Sequence, residues 1–204
     1  MLHIENIIFD LGGVILNIDN KKTEEAFSKL GAKHFNQYFG HGFAASFFRD
    51  YEIGKISDQQ FINELKKMIG TPVSDKMIVD AWNALLLDFP IKRIALLNEL
   101  RTKYRLFLFS NTNALHLQAL RLIYSSEFAG ADLDDHFEKA YYSHLLGMRK
   151  PDKESYEFII RENKLDPALT LFVDDAKINV EGANATGLKG FYLEPKMEIT
   201  DIMW

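Results

Sequence analysis

The chain has 204 residues, of which 47% are hydrophobic, so it is long enough for one α/β domain or for one domain with a modest insertion. Its formal net charge of -5 argues against a large nucleic-acid-binding surface, and the absence of cysteine excludes disulfides and thiolate metal sites. The sequence shows no signal-peptide pattern and no apolar run long enough to span a membrane. These features predict a soluble cytoplasmic protein.

Residues 4–10 predict a strand of a buried parallel sheet, because both of its faces are apolar and it runs into a single aspartate, Asp10. Gly12 and Gly13 follow this strand and predict a tight turn. Residues 14–18 are then expected to form a short flap or the start of a hairpin.

The next 70 residues or so, about 20–90, have helical spacing of apolar residues and no strand-like runs. They predict helices at 24–30, 59–69 and 74–87, and a capping-box pattern at 57–60 opens the second of these. This block therefore predicts a helical insertion rather than a part of the sheet.

Strands and helices alternate again after residue 90. The expected strands are 105–109, 137–143, 169–173 and 190–193, and the expected helices are 91–103, 113–124, 152–163 and 178–185, with an irregular loop at 125–135. The alternation predicts a doubly wound parallel α/β sheet with right-handed crossovers. The predicted domains are a core of residues 1–18 and 91–204 and a helical cap of residues 19–90.

Polar side chains follow three of the predicted strands: Asp10, then Ser110 and Asn111, then Asp174 and Asp175. Ligands of such sheets bind beyond the carboxyl ends of the strands, so these residues are expected on one rim. Carboxylates without histidine or cysteine suit Mg²⁺, which prefers oxygen ligands. A carboxylate can also act as a nucleophile and form an aspartyl-phosphate.

Four segments resemble, in this order, the motifs of the haloacid-dehalogenase-like hydrolase superfamily, and they lie at 10–14, 110–111, 150–151 and 174–175. The spacing of the first two resembles members that carry a helical cap. Finer features resemble the bacterial branch that contains the α-D-glucose-1-phosphate phosphatases, and the phosphatase domain of soluble epoxide hydrolases is a more distant relative. The resemblance implies a Mg²⁺-dependent phosphatase of a small sugar phosphate. Neither nucleic acid nor membrane is expected as a partner, and a monomer is compatible with the sequence.

The resemblance implies catalytic roles for four residues. Asp10 would attack phosphorus and become the aspartyl-phosphate, and Lys150 would steady Asp10 and the developing charge. Ser110 and Asn111 would hold the phosphoryl oxygens.

The resemblance also implies a metal site. The Mg²⁺ ligands would be Asp10, the main-chain carbonyl of Gly12, Asp174 and Asp175, with Asp175 favoured as the direct ligand of the last two. Asn179 is expected to support Asp175 from the first turn of the following helix.

One position departs from the pattern of the superfamily. Most of its phosphatases have a general acid and base, worth ~10²–10⁴-fold in rate, where this chain has Gly12. The glucose-1-phosphate branch shows a similar glycine. Candidate replacements are Asp19, Glu52 and His41, and the resemblance of residues 52–57 to a specificity loop makes Glu52, Lys55 and His41 candidates for substrate selection.

Two other functions stay open at this point. One is a dehalogenase or phosphonate hydrolase of the same superfamily, which the Asp174-Asp175 pair disfavours because the dehalogenases need no metal. The other is a non-catalytic sugar-phosphate-binding protein, which the missing acid at Gly12 would explain.

Overall fold

The computed structural model describes residues 3–32, residue 35 and residues 46–204. Its strands are β1 (Asn6–Phe9), β2 (Arg105–Ser110), β3 (Lys139–Tyr142), β4 (Thr170–Asp174) and β5 (Lys189–Tyr192). They form one parallel sheet in the order β3-β2-β1-β4-β5. The chain moves outward from β1 on one side and returns to its other side, which places a topological switch point between β1 and β4.

Helices connect the strands and cover the sheet. They are α1 (Asn20–Lys29), α2 (Ser46–Glu52), α3 (Asp58–Ile69), α4 (Asp75–Asn83), α5 (Ile91–Leu100), α6 (Ala114–Glu127), α7 (Ser143–Leu146), α8 (Lys153–Asn163) and α9 (Lys177–Asn184). Short 3₁₀ turns occur at Leu133–His136, Pro167–Leu169 and Ile199–Asp201. The prediction of a doubly wound parallel sheet with an inserted helical cap is confirmed.

Alternate residues of the central strand pack into two different hydrophobic clusters. Ile7 and Phe9 lie in one cluster with side chains of α5 and α6, whereas Ile8 lies in the other with side chains of α8 and α9. All three are at most 1% exposed. A strand with both faces buried explains the continuous apolar run that precedes Asp10.

Helices α1 to α4 enclose a hydrophobic cluster of their own. It is rich in aromatic side chains, namely Phe27, Phe35, Phe48, Tyr51, Phe61 and Trp82. The rings of Tyr51 and Phe61 stack with centroids 4.1 Å apart, and Leu115 of α6 joins the cluster from the sheet side. The predicted capping box is confirmed, since Ser57 and Gln60 bond each other's main-chain N–H groups at the start of α3.

The predicted helix at 74–87 is too long, because α4 ends at Asn83. Beyond α4, the segment that leads out of the cap forms hydrogen bonds with the segment that leads into it. The Asn17 N–H donates to the Asp88 carbonyl at 2.9 Å, and the Leu87 N–H donates to the Asn17 carbonyl at 3.0 Å. These tertiary hydrogen bonds compete with helical ones, and two adjacent connections therefore join the cap to the sheet.

The irregular loop expected at 125–135 is wrong in part. Helix α6 continues to Glu127, and Leu133–His136 forms a 3₁₀ turn. The extra helical turn is held by packing, since the buried ring of Tyr124 stacks on Phe128 with centroids 4.7 Å apart. Across the described residues, none of the helices is both long and apolar enough to cross a membrane.

Candidate active site

Asp10 follows β1 and stands beside the last residue of β4. Phe9 pairs with Val173 in the ladder, and the Asp10 N–H donates to the Val173 carbonyl at 2.9 Å, so Asp174 lies level with Asp10. On the other side Phe9 pairs with Leu108, so Phe109 lies level with Asp10 and Ser110 lies one position beyond Phe109 along β2. The strand register therefore collects the predicted polar residues at one edge, as the sequence predicts.

Lys150 connects the two aspartates. Its ammonium donates to Asp10 Oδ1 at 2.6 Å and to Asp174 Oδ2 at 2.7 Å, and the side chain is 1% exposed. Its Nζ also lies over the rings of Phe109 and Phe172, 5.4 and 5.5 Å from their centroids. The ammonium is thus enclosed by two carboxylates and two aromatic faces, so its position is well defined.

Burial controls the ionisation of this centre. It raises the pKa of Asp10 from 3.8 to about 7, and the negative charges of Asp174 and Asp175 act in the same direction. Lys150 opposes this rise through its positive charge and its hydrogen bond. Burial alone would lower the pKa of Lys150, but the two carboxylates outweigh it and hold that pKa above its ordinary value. The geometry therefore keeps a charged lysine next to an ionisable carboxylate.

The Asn179 amide contacts Asp174, whereas the sequence spacing assigned it to Asp175. Its Nδ2 lies 3.1 Å from Oδ1 and 3.2 Å from Oδ2 of Asp174, and the Ala176 N–H donates to the same Oδ1 at 2.8 Å. Asp174 is fully buried and ends β4, so its side chain points to the interior and needs these donors. The sequence spacing alone did not distinguish the two neighbouring aspartates.

Asp10, Asp174 and Asp175 can place one carboxylate oxygen each within 4.8 Å of one another. Such a set of oxygen donors fits Mg²⁺. Asp175 is the exposed member and leans over the turn after β1, because a Cβ added to Gly13 would lie 2.1 Å from Asp175 Oδ2. Gly13 also has φ +77°, a conformation that favours glycine. Gly13 thus lets the turn approach the predicted metal site.

Gly12 lies in this turn, which is closed by main-chain hydrogen bonds such as Ile15 N–H to the Leu11 carbonyl at 2.8 Å. A Cβ at Gly12 would lie 3.2 Å from Ile18 Cδ1, so a larger side chain there would need Ile18 to move. Asp19, one predicted replacement acid, caps α1 by accepting the Lys21 N–H at 3.0 Å. The carboxylate of Asp19 is therefore occupied in helix capping.

Ser110 is the last residue of β2 and Asn111 follows it, and their side chains have different surroundings. Ser110 is 3% exposed at the end of the strand. The Asn111 amide is bonded twice to the main chain of Lys150: Oδ1 accepts the Lys150 N–H at 2.9 Å, and Nδ2 donates to the Lys150 carbonyl at 2.9 Å. The structure thus links Asn111 to the lysine, a contact that the sequence did not predict.

The cap contacts the sheet domain near Lys150 through charged side chains. Glu52 Oε2 lies 2.5 Å from Arg149 Nε, with both side chains about a quarter exposed, although that N–H forms no hydrogen bond within the described residues. Arg49 donates to Asp152 at 3.1 Å. Burial raises the pKa of Glu52, and the positive charges of Arg149, Lys150 and Arg49 oppose the rise. Arg149 was not among the predicted site residues, although its position next to Lys150 was a usable signal.

The other two predicted specificity residues are Lys55 and His41. The Lys55 side chain is 67% exposed, and its ammonium lies 4.0 Å from Asp50 Oδ1. His41 lies outside the described residues. Near Lys55, Gly54 approaches the sheet domain so closely that a Cβ would lie 2.2 Å from the His144 carbonyl oxygen.

Comparison with known proteins agrees with this geometry. The model of the haloacid dehalogenase-like hydrolase family matches residues 4–187. The chain belongs to the haloacid dehalogenase-like hydrolases. It is therefore a hydrolase by family, which confirms the resemblance seen in the four motifs. The fold and the ordered motifs were sufficient to recognise this membership.

Two relatives in this hydrolase family carry named activities. The chain is 33% identical to the D-ribitol-5-phosphate phosphatase of Bacteroides thetaiotaomicron, over 94% of this chain and 92% of the relative. It is 28% identical to a sesquiterpene phosphatase of Aspergillus oryzae, over 91% and 88% of the two chains.

Solved structures of similar hydrolases extend the comparison. A variant of the family enzyme BT-2542 of Bacteroides thetaiotaomicron, in complex with magnesium and inorganic phosphate, has a TM-score of 0.91 and 32% identity, covering 97% of this chain and 98% of that chain. A predicted family hydrolase of Porphyromonas gingivalis has a TM-score of 0.83 and 30% identity, covering 93% and 90%. Magnesium in a neighbour this similar confirms the predicted cofactor.

Proposed function

We propose that this chain is a Mg²⁺-dependent phosphatase that hydrolyses a small phosphate monoester of a sugar or sugar alcohol. The observation that carries the proposal is the buried Lys150 ammonium, which contacts Asp10 and Asp174 at one edge of the sheet. The name of the Bacteroides relative supports a polyol phosphate. The motif resemblance supports glucose 1-phosphate, so these two substrates are compared first.

In the proposed reaction, a carboxylate oxygen of Asp10 bonds to phosphorus while the phosphorus–oxygen bond of the ester breaks. The leaving oxygen takes a proton and departs as the alcohol. Water then attacks the aspartyl-phosphate, which releases inorganic phosphate and restores Asp10. Lys150 stabilises the phosphoryl charge, and Ser110 is proposed to donate its hydroxyl to a phosphoryl oxygen. The family resemblance alone predicts a phosphate contact for Asn111, whose amide instead bonds the main chain of Lys150.

The proposed ligands of Mg²⁺ are Asp10, the Gly12 carbonyl, Asp174 and Asp175. When bound, the ion would neutralise charge on the transferring phosphoryl group. Three neighbouring carboxylates repel one another, and this repulsion favours a cation at this place.

We also propose that residues 19–90 act as the cap over this site, with residues 1–18 and 91–204 as the core. Closure of the cap would exclude water during the first transfer and select the substrate. Glu52, Lys55 and His41 remain the proposed specificity residues. Glu52 has the strongest support, because Lys150 affects its ionisation.

The experiment measures phosphate release from glucose 1-phosphate, ribitol 5-phosphate and an aryl phosphate, with Mg²⁺ and with a chelator. We expect turnover only with Mg²⁺ and a loss of more than about 10³-fold in Asp10→Asn, because the nucleophile is removed. Asp166→Asn is the matched control, since Asp166 caps a 3₁₀ turn outside the site and asparagine caps equally well. An undiminished rate in Asp10→Asn would reject Asp10 as nucleophile.

The same panel tests the alternatives. Halide release from a 2-haloacid without metal would favour a dehalogenase, and release from a phosphonate would favour a phosphonate hydrolase. Calorimetric binding of sugar phosphates without any turnover would favour a non-catalytic binding protein.

A further inference from the structure

The Asn111 side chain forms hydrogen bonds with Lys150, the residue whose ammonium contacts Asp10 and Asp174. Its amide makes two hydrogen bonds, each 2.9 Å long, and both go to the main chain of Lys150, 39 residues later in the sequence. One bond uses the amide as acceptor and the other as donor. The amide therefore provides hydrogen-bond partners for both the main-chain N–H and the main-chain carbonyl of Lys150.

The position of Lys150 in the chain makes these bonds important. Lys150 lies between α7 and α8, where no helix or strand orders the backbone. Its side chain nevertheless has to place one ammonium within 2.7 Å of two carboxylates. A lysine has a long, flexible side chain, so the place of its ammonium depends on where its backbone is held. Asn111 begins directly after β2 and links that backbone to the sheet.

We propose that Asn111 is a positioning residue that holds the main chain of Lys150, and through it the ammonium between Asp10 and Asp174, and that its amide does not hold a phosphoryl oxygen. The catalytic part of this inference rests on the proposed phosphatase function. A buried N–H and carbonyl without partners are unfavourable, so loss of the amide would shift the backbone at Lys150. A misplacement of about 1 Å at a reacting group can reduce the rate by about 10²-fold.

The first test needs no enzyme activity. Reductive methylation followed by peptide mapping measures how fast each lysine reacts in the full-length protein. Lys150 is expected to be protected in the wild type, because it is 1% exposed, and to react at least tenfold faster in Asn111→Ala. Unchanged protection of Lys150 in Asn111→Ala would overturn the inference.

Asn163→Ala is the matched control. Asn163 is also partly buried and also donates its amide to a main-chain carbonyl, that of Ile159 at 2.8 Å, but it lies next to Arg105 at the opposite end of β2. Lys150 should stay protected in this variant. Equal loss of protection in Asn163→Ala would show a general loosening of the fold and would also overturn the inference.

The second test uses kinetics and inorganic phosphate. If Asn111 acts through Lys150, Asn111→Ala lowers kcat by about 10–10²-fold, with KM and the inhibition constant of inorganic phosphate changed less than about threefold. A tenfold weaker inhibition by phosphate with an unchanged kcat would mean direct phosphate contact and would overturn the inference. Absence of turnover in the wild type would reject the proposed function, while the methylation test would still decide the positioning role.

Discussion

The Lys150 ammonium is 1% exposed and lies within 2.7 Å of two carboxylates, whereas the Arg149 side chain is 27% exposed and lies beside one, that of Glu52. We call Asp10, Lys150 and Asp174 the floor of the proposed site, and Glu52 and Arg149 its cap-side rim. If a charged side chain of the floor loses its partner, no water can replace that partner. A charged side chain of the rim is exposed, so water can replace its partner. The floor is therefore held in one geometry, whereas the exposed charges of the rim can exchange a partner for water.

The contact between α4 and α6 is a third region and differs from both. The Trp82 and His116 rings stack with centroids 4.7 Å apart, and Asn83 Oδ1 lies 2.8 Å from His116 Nδ1. His116 is buried like the floor, but burial lowers its pKa to about 3, so it is neutral at ordinary pH. The cap thus contacts the sheet domain through an uncharged aromatic pair at one place and through ion pairs at another.

The largest effect is expected for Lys150→Met. It leaves Asp10 and Asp174 buried without their counter-charge, which should cost about 3–5 kcal/mol of unfolding free energy in the metal-free protein. The loss of a positive group next to the phosphoryl oxygens should lower kcat by at least about 10²–10³-fold. Urea unfolding and phosphate release measure the two effects.

Lys153→Met is the control for this variant, because Lys153 is 57% exposed and pairs with Glu157 along α8. It should leave the unfolding free energy almost unchanged, because water and salt screen an exposed ion pair. Similar losses in the two variants would contradict the distinction between buried and exposed charges.

Gly13→Ala should damage metal binding more than stability. Its backbone strain, at φ +77°, costs about 1–2 kcal/mol, and its Cβ would displace Asp175. We expect the Mg²⁺ concentration for half-maximal activity to rise at least tenfold. Gly70→Ala has nearly the same φ, +72°, with nothing within 4 Å of the added Cβ, so it should show the strain without the metal effect. Equal Mg²⁺ dependence in both variants would refute the placement of Asp175.

His116→Gln tests the third region through pH. His116 has a folded-state pKa of about 3 against an ordinary 6.5, so its stabilising contribution is complete above pH 6.5 and is lost as pH falls toward 3. The wild type should lose up to about 1.4 kcal/mol per pH unit below 6.5 from this group, and His116→Gln should lack that slope. Urea unfolding between these pH values measures it. His3→Gln, at a 76% exposed side chain, should keep the wild-type slope.

The smallest effects belong to the rim. Glu52→Gln removes one ion pair whose side chains are about a quarter exposed, and it should change stability by about 0.2–1 kcal/mol, less at high salt. If Glu52 selects substrate, KM for the sugar phosphate should rise several-fold while KM for an aryl phosphate stays constant. Lys55→Met is the comparison, because Lys55 is 67% exposed and should alter neither stability nor salt dependence. Loss of activity on both substrates in Glu52→Gln would place Glu52 in the chemistry rather than in selection.

Much of this architecture could be predicted from the sequence because its signals are local. Apolar runs that end in Asp10 and Asp174 indicate buried parallel strands, and the capping pattern at Ser57 marks the start of α3. The ordered motifs identified the family. Errors occurred where tertiary hydrogen bonds or packing outweighed local propensity, as at the end of α4 and beyond Tyr124 in α6.

By itself, the sequence determined which residue types end the strands, and hence that carboxylates suited to Mg²⁺ lie at one edge of the sheet. Only the tertiary structure decided their partners. It assigned Asn179 to Asp174, tied Asn111 to the main chain of Lys150 and brought Glu52 to Arg149. The physical reason is that a strand or helix follows from neighbours in the chain. A hydrogen bond across 39 positions or an ion pair across 97 depends on distances that the folded sheet and cap create.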